Sequence, residues 1–162
     1  MSVEFEAEIK LRALYEAFKW ILEHDRENFI KILPSGYTVD VSEEDTVALR
    51  FQWEYNVEEG FPSISRHYED AKKARSILRD AITKYIKAIK ERVVVEVEGR
   101  RYKLAEILER VGWSSKDPHE ALARKLVAII TMLGKPYGTI LAAQAVLEGL
   151  SEDEASRILD SR

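Results

Sequence analysis

The clearest pattern in the chain is an alternation of apolar and mainly polar positions between residues 47 and 58. The apolar set is Val47, Leu49, Phe51, Trp53, Tyr55 and Val57. A repeat of two places successive side chains on opposite faces of a strand, whereas helical winding would scatter them around the axis. The pattern therefore predicts a half-buried antiparallel strand. Two shorter segments, residues 29–33 and 37–41, flank Pro34-Ser35-Gly36 and predict a hairpin before it.

Two other regions show the spacing of amphipathic helices. In the first, apolar residues recur at intervals of three, four and seven, which predicts a helix over residues 2–25 with Ser2 as its N-cap. A longer helix is predicted to begin at Ser63 or Ser65, after Gly60-Phe61-Pro62, and to end near Arg92. Its predicted core positions are Ala71, Ala74, Leu78, Ile82, Tyr85 and Ile89.

The remaining third begins with a predicted second hairpin, residues 93–97 and 100–104, joined by Glu98-Gly99. Short helices are predicted over residues 104–111, over 117–133 with Asp117 as cap, and over 139–147 after a turn at residues 134–138. Ser151 and Glu154 form the sequence pattern of a capping box that opens the last helix.

This order of elements predicts an α+β fold. We expect an antiparallel sheet of three to five strands flanked by two long helices, with a C-terminal cluster of short helices. Residues 1–103 are predicted to form the α+β domain. Residues 104–162 are predicted to form a helical subdomain packed on it, since no Pro-, Gly- or Ser-rich linker separates the two parts.

Composition narrows the class of protein. The chain of 162 residues has no Cys, which excludes a disulfide scaffold and a cysteine nucleophile. No apolar run is long enough for a membrane span, and the N-terminus does not resemble a signal peptide. We expect a cytoplasmic protein without membrane association, cofactor or metal. Two Met and four amide residues, among many Glu, Lys and Arg, are typical of hyperthermophile proteins.

Charge is distributed unevenly along the chain. Residues 1–71 carry 16 acidic and 7 basic residues, whereas residues 72–103 carry 11 basic and 4 acidic ones. On a helical wheel, five of these bases lie within about 60° of one line. Together with two arginines of the second hairpin they form the predicted anion- or nucleic-acid-binding site: Lys72, Arg75, Arg79, Lys87, Lys90, Arg100 and Arg101. The alternative is that these basic residues form ion pairs with acidic residues of the N-terminal third.

The predicted order of helix, three strands and helix resembles that of double-stranded-RNA-binding domains. Lys72-Lys73-Ala74-Arg75 is similar to the basic cluster that opens their second helix. The resemblance implies phosphate contacts by these bases. It covers about 90 residues, and the turn that precedes the cluster in that family is replaced here by the partly acidic residues 66–70.

Two further features bear on function. The segment 139–147 is apolar almost all round, so Ile140, Leu141, Val146 and Leu147 are predicted to lie either in the core or in an oligomer contact. Three histidines lie near acidic residues, and the group His67, Glu69 and Asp70 is the best candidate for metal or acid–base chemistry.

The sequence thus favours a non-enzymatic interaction or assembly protein, with a protein partner, self-association or nucleic acid as the bound species. The first alternative is a small metal-dependent or acid–base enzyme that uses His67, Glu69 and Asp70. The second is a purely structural oligomeric scaffold.

Overall fold

The N-terminal segment is a strand followed by a helix, and not the single helix predicted over residues 2–25. The computed structural model describes residues 2–42, 45–54 and 71–160. Strand β1 spans Ser2–Lys10 and pairs antiparallel with a later strand, so that Ala7 lies opposite Leu49 and Ile9 opposite Val47. Three glutamates that suggested a helix N-terminus alternate with apolar residues along β1. Pairing with a partner strand satisfies the backbone of such a segment without a helix.

Two helices follow, and they meet at Asp25. Helix α1 spans Arg12–His24 and helix α2 spans Arg26–Ile32. The strand predicted over residues 29–33 is therefore wrong. Phe29 is fully buried against Phe18 while its neighbour Ile30 is half exposed, which is the outcome of helical winding around a single anchoring side chain.

The main sheet has three antiparallel strands in the order β1-β3-β2. Strand β2 spans Tyr37–Ser42 and β3 spans Thr46–Glu54, which confirms both as predicted strands up to residue 54. Tyr55 and Val57, predicted to continue β3, lie outside the described residues. Gly36 before β2 has a positive φ of 88°, and its carbonyl accepts a hydrogen bond from Gln52 N–H. This left-handed turn is the conformation that favours glycine.

Helix α3 spans Ala71–Arg92 and, together with α1, contacts the sheet. Five of its six predicted core positions, from Ala74 to Ile89, are buried, and the Ala71 side chain is not described. The predicted helix start at Ser63 or Ser65 and the preceding break at Gly60-Phe61-Pro62 lie outside the described residues.

The second hairpin and the helix after it are confirmed. Strand β4 spans Val94–Val97, β5 spans Arg100–Lys103, and the two form a separate antiparallel sheet. Helix α4 spans Leu104–Val111 and ends at Gly112, whose left-handed φ of 75° closes the helix.

The last three helices differ from the prediction mainly at their starts. Helix α5 spans His119–Leu133, with Pro118 and not Asp117 at the cap position. The Asp117 carboxylate instead accepts a hydrogen bond from Lys125 Nζ at 2.5 Å. The predicted turn at residues 134–138 is wrong beyond Gly134, because helix α6 already begins at Lys135 and spans Lys135–Leu147. Helix α7 spans Glu152–Asp160, and Ser151 Oγ accepts the Glu154 N–H at 3.5 Å.

Helix α6 lies at the centre of the described structure, where it contacts α1, α3, α5 and α7. Most of the buried side chains form one cluster that runs from Ile9 in β1 to Leu159 in α7. The α+β class, the antiparallel sheet with α1 and α3 packed on it, and the cluster of short C-terminal helices are thereby confirmed. No helix in the described residues is long and apolar enough to cross a membrane.

The element order departs from that of double-stranded-RNA-binding domains. The first strand of the main sheet precedes α1, and two strands, not three, lie between residues 33 and 54. The resemblance rested on a helix at the N-terminus, and that part of the prediction is wrong.

Candidate anion-binding surface

The five predicted cations of α3, which we call the basic stripe, fall into two groups with different surroundings. The first group is Lys72, Arg75 and Arg79, and the second is Lys87 and Lys90. In the first group, Arg75 and Arg79 contact the C-terminal end of α6. Arg75 Nη2 donates to the Val146 carbonyl at 3.5 Å, and Arg79 Nε lies 4.0 Å from a Glu148 carboxylate oxygen. The last carbonyls of a helix lack intrahelical partners and carry its negative dipole end. These two arginines therefore stabilise the contact between α3 and α6.

Arg79 has further polar contacts within the chain. Arg79 also lies 3.7 Å from Asp80 and donates to Ser76 Oγ at 3.4 Å. Lys72 is exposed one turn before Arg75 on the same helix, and it lines a groove with Arg75, Arg79 and Leu147. Among the described residues, the carboxylates near Arg79 are those of Asp80 in α3 and Glu148 at the end of α6, and neither belongs to the acidic N-terminal third.

The second group of the stripe, Lys87 and Lys90, lies beside the β4–β5 hairpin, which we call the small hairpin. Lys103 Nζ is 3.6 Å from Glu91 Oε2, a contact that joins β5 to the last turns of α3. Lys87 lies one turn before Glu91 on the same side of the helix. Arg101 lies on the same face of β5 as Lys103, because side chains alternate along a strand. We call the group Lys87, Lys90, Arg101 and Lys103 the α3–β5 basic surface.

Three members of the α3–β5 basic surface have no ion pair with any described residue: Lys87, Lys90 and Arg101. Lys87 and Arg101 are exposed, and Lys90 is half-buried. Two acids accompany them: Glu91, and Glu96, which lies opposite Arg101 in the strand pair. Four cations against two anions leave this surface positive.

Arg100, the other predicted hairpin arginine, is separated from this surface. It shares the opposite face of β5 with Tyr102, and both line a cavity with Arg110 of α4. The Arg110 guanidinium carbon lies 4.8 Å from the centre of the Tyr102 ring. Sequence analysis missed Arg110, because only the packing of α4 on the hairpin places it next to Arg100.

The predicted α6 residues belong to the interior of the chain. Ile140, Leu141, Val146 and Leu147 are all buried, the most exposed at 8%. Gly138 earlier in α6 lies so close to Ile130 of α5 that a Cβ would overlap the isoleucine side chain. This helix is therefore surrounded by its own chain on all sides, as an apolar, weakly amphipathic sequence requires.

The histidines occupy three different situations. His67, with Glu69 and Asp70, lies outside the described residues. The His24 ring stacks on Trp20 with centroids 4.7 Å apart, and its Nδ1 lies 2.9 Å from the Trp20 carbonyl oxygen. His119 is exposed at the start of α5. Within the described ranges, no three His, Asp or Glu side chains come together as a metal site.

A half-buried carboxylate between α1 and α2 is the strongest polar cluster that sequence analysis missed. Asp25 accepts hydrogen bonds from Tyr85 Oη at 2.7 Å, Arg92 Nη2 at 2.6 Å and Asn28 Nδ2 at 2.7 Å. Burial alone would raise the pKa of Asp25, but these three donors lower it below its ordinary value. Burial, and then the bond to Asp25, raise the pKa of Tyr85 well above its usual range.

One sequence signal pointed to this cluster. Tyr85 occupies a predicted core position, and a buried tyrosine hydroxyl needs a hydrogen-bond partner. The identity of that partner follows from the fold, because residues 25 and 85 are brought together only by the packing of α2 on α3. The cluster ties the α1–α2 junction to the last turns of α3 and serves the fold.

No protein family matches this sequence, and no curated protein or solved structure is significantly similar to it.

Proposed function

We propose that this protein works by binding rather than catalysis, and that its partner is nucleic acid held through the phosphate backbone. The observation that carries the proposal is the α3–β5 basic surface, three of whose cations form no ion pair with a described residue. Unpaired lysine and arginine side chains can neutralise phosphates of a nucleic acid. This releases condensed counterions, which favours binding and gives affinity without sequence preference.

The division of the stripe sharpens this proposal. Arg75 and Arg79 contact α6, so they are poor candidates for phosphate contacts. Lys87 and Lys90 lie on α3 and Arg101 lies on β5, two elements that the Lys103–Glu91 ion pair joins. The acidic chain as a whole, with a net charge of −4, limits the attraction to this one region.

The proposal is tested by fluorescence anisotropy with labelled duplex DNA and RNA at roughly 50 and 200 mM salt. For three phosphate contacts on a duplex, the affinity should fall about 40-fold between these conditions. The triple variant Lys87→Gln, Lys90→Gln, Arg101→Gln should lose most of the binding and most of the salt dependence.

The matched control removes the same number of charges elsewhere. Lys10, Lys31 and Lys116 are exposed residues on β1, on α2 and in the loop before α5. Their triple replacement by Gln should leave binding within about twofold of the wild type, apart from the general effect of net charge. Equal losses in the two triple variants, or no binding at 50 mM salt, would contradict the proposal.

The enzyme alternative, with His67, Glu69 and Asp70, rests on residues outside the described ranges and stays a prediction. Its test is binding of a divalent ion that is lost on His67→Ala. The scaffold alternative depended on an exposed apolar face of α6, and the burial of Ile140 and Val146 gives it no support.

The composition supports a further proposal, that the protein comes from an organism that lives at high temperature. Only four amide residues and two methionines occur in 162 residues, and chemically labile residues are depleted in such proteins. Calorimetry should give a thermal midpoint above about 90 °C, the range of hyperstable proteins. A midpoint in the range of ordinary mesophile domains would contradict this.

A further inference from the structure

A cavity of about 620 Å³ lies on the face of the small hairpin opposite the α3–β5 basic surface. The hairpin, α4 and the end of α5 line it, and the described residues at its wall include Glu98, Arg100, Tyr102, Ile107, Arg110 and Met132. This volume lies within the range of small-molecule sites. The cavity is therefore large enough for an organic ligand.

The two arginines that line this cavity have no acidic partner among the described residues. Neither Arg100 nor Arg110 forms an ion pair or a side-chain hydrogen bond with a described residue. The Arg110 guanidinium lies over the Tyr102 ring at 4.8 Å. A guanidinium over an aromatic face keeps its N–H groups free at its edges, so the contact orients the donors without using them.

The rest of the wall is apolar on one side and acidic at one point. Ile107 is buried and Met132 is partly exposed, so they offer a surface to a non-polar or planar group. Glu98 occupies the hairpin turn with a positive φ of 51° and contributes the one carboxylate among the described lining residues. Two cations and one anion leave a net positive site of limited strength.

We propose that this cavity binds a phosphate monoester of nucleotide size. The phosphate lies between Arg100 and Arg110, and the planar base lies toward Met132. A guanidinium fork is matched by the two oxygens of a carboxylate, so one arginine satisfies a carboxylate ligand. A terminal phosphate has three oxygens and accepts from two forks at once. The pair of arginines therefore favours phosphate, and the remaining volume accommodates the organic part.

The test is isothermal titration of the full chain with adenosine monophosphate, adenosine and inorganic phosphate at low salt. Adenosine monophosphate should bind more tightly than either fragment, because only the whole ligand uses both the arginines and the apolar wall. Arg100→Gln and Arg110→Gln should each weaken binding about tenfold, the usual effect of losing a charged hydrogen bond. Arg110→Lys should weaken it as well, since lysine lacks the fork.

An arginine of α5 outside both surfaces supplies a matched control. Arg124 is exposed and is not among the described residues that line the cavity, so Arg124→Gln should leave nucleotide affinity within about twofold. Glu98→Gln should raise the affinity, because it removes the carboxylate that opposes phosphate. Equal effects of Arg100→Gln and Arg124→Gln, equal binding of the nucleotide and adenosine, or no binding at millimolar nucleotide would each overturn the proposal.

A second arm identifies the source of the phosphate, either a free nucleotide or the end of a strand. Short oligonucleotides with and without a 5′-phosphate are compared on Arg110→Gln and the wild type. A gain from the 5′-phosphate that disappears in Arg110→Gln assigns the site to strand ends. Mononucleotide binding without that gain assigns it to free nucleotides. This site fails or holds independently of the proposed function, which depends on Lys87, Lys90 and Arg101.

Discussion

Replacement of Asp25 by Ala is the sharpest test of how the fold is held together. The Asp25 side chain is 14% exposed and accepts three hydrogen bonds. Tyr85, one of the donors, is 1% exposed, so its hydroxyl would lose the acceptor of its hydrogen bond in surroundings poor in water. An unsatisfied buried polar group costs about 1–3 kcal/mol. Arg92 and Asn28 are exposed and would recover hydration, so their bonds add roughly 1 kcal/mol together.

The expected loss for Asp25→Ala is therefore about 3 kcal/mol, a large part of a typical net stability. Urea unfolding followed by tryptophan fluorescence measures it. With a slope of about 2 kcal/mol/M, the midpoint should fall by roughly 1–2 M. Tyr85→Phe removes one donor but leaves the carboxylate with two partners, so its cost should be smaller. A loss below about 1 kcal/mol for Asp25→Ala would refute the reasoning.

The same carboxylate makes stability depend on pH in a defined direction. Its pKa is lower in the folded chain than its ordinary value of 3.8, so the folded state favours the ionised form. The contribution is fully present above pH 3.8 and is lost as the pH falls below it, through the lower folded pKa.

Asp25→Asn supplies the control for this pH dependence. It keeps the size of the side chain but cannot titrate. The difference in unfolding free energy between wild type and Asp25→Asn should shrink as the pH falls below 3.8. A difference that stays constant through this range would show that Asp25 does not carry the effect.

Two further outcomes follow from helix α6. Val146 is 2% exposed inside one chain, so Val146→Asp should lower the free energy of unfolding by several kcal/mol and unfold the protein, rather than dissociate an oligomer. Sedimentation and circular dichroism distinguish these outcomes. A folded species of smaller size would contradict the burial of Val146. Gly138→Ala should lower the free energy of unfolding by about 1–3 kcal/mol through overpacking, because the new Cβ overlaps Ile130. In urea unfolding, the loss in the double variant with Ile130→Ala should be less than the sum of the two single losses. A stabilised Gly138→Ala would contradict the close approach of the two helices.

The basic stripe illustrates why charge alone does not define a binding surface. Five cations lie along one line of α3 by helical geometry, yet Arg75 and Arg79 contact the end of α6. The same helix therefore carries cations that contact the end of α6 and cations that form no ion pair with a described residue. Neutralising Arg79 would mix the two effects, which is why the proposed binding tests leave it unchanged.

Local patterns in the sequence were enough for the elements whose neighbours agree with them. Strand β3 and the core face of α3 follow from the period of their apolar residues, and α4 ends at Gly112 because the chain turns left-handed there. The small hairpin likewise follows from Glu98-Gly99 between two short β segments. In each case the side-chain period and the turn chemistry point to one conformation.

Where two conformations suit the local sequence, only tertiary contacts decided. Residues 2–10 have both a helix-like acidic start and a strand-like alternation, and pairing with β3 selects the strand. Residues 29–33 are too short for their period to be diagnostic, and the burial of Phe29 against Phe18 and Tyr85 selects a helix.

The candidate sites show the same division. Helical geometry alone aligns the cations of α3, whereas the position of the α6 C-terminus determines which of them contact another helix. No local pattern relates Arg100 to Arg110 or Asp25 to Tyr85, because these pairs lie on separate elements. The sequence determines the faces of each helix and strand through side-chain periodicity. Which faces meet depends on how the whole chain buries its apolar surface, and that is a property of the tertiary structure.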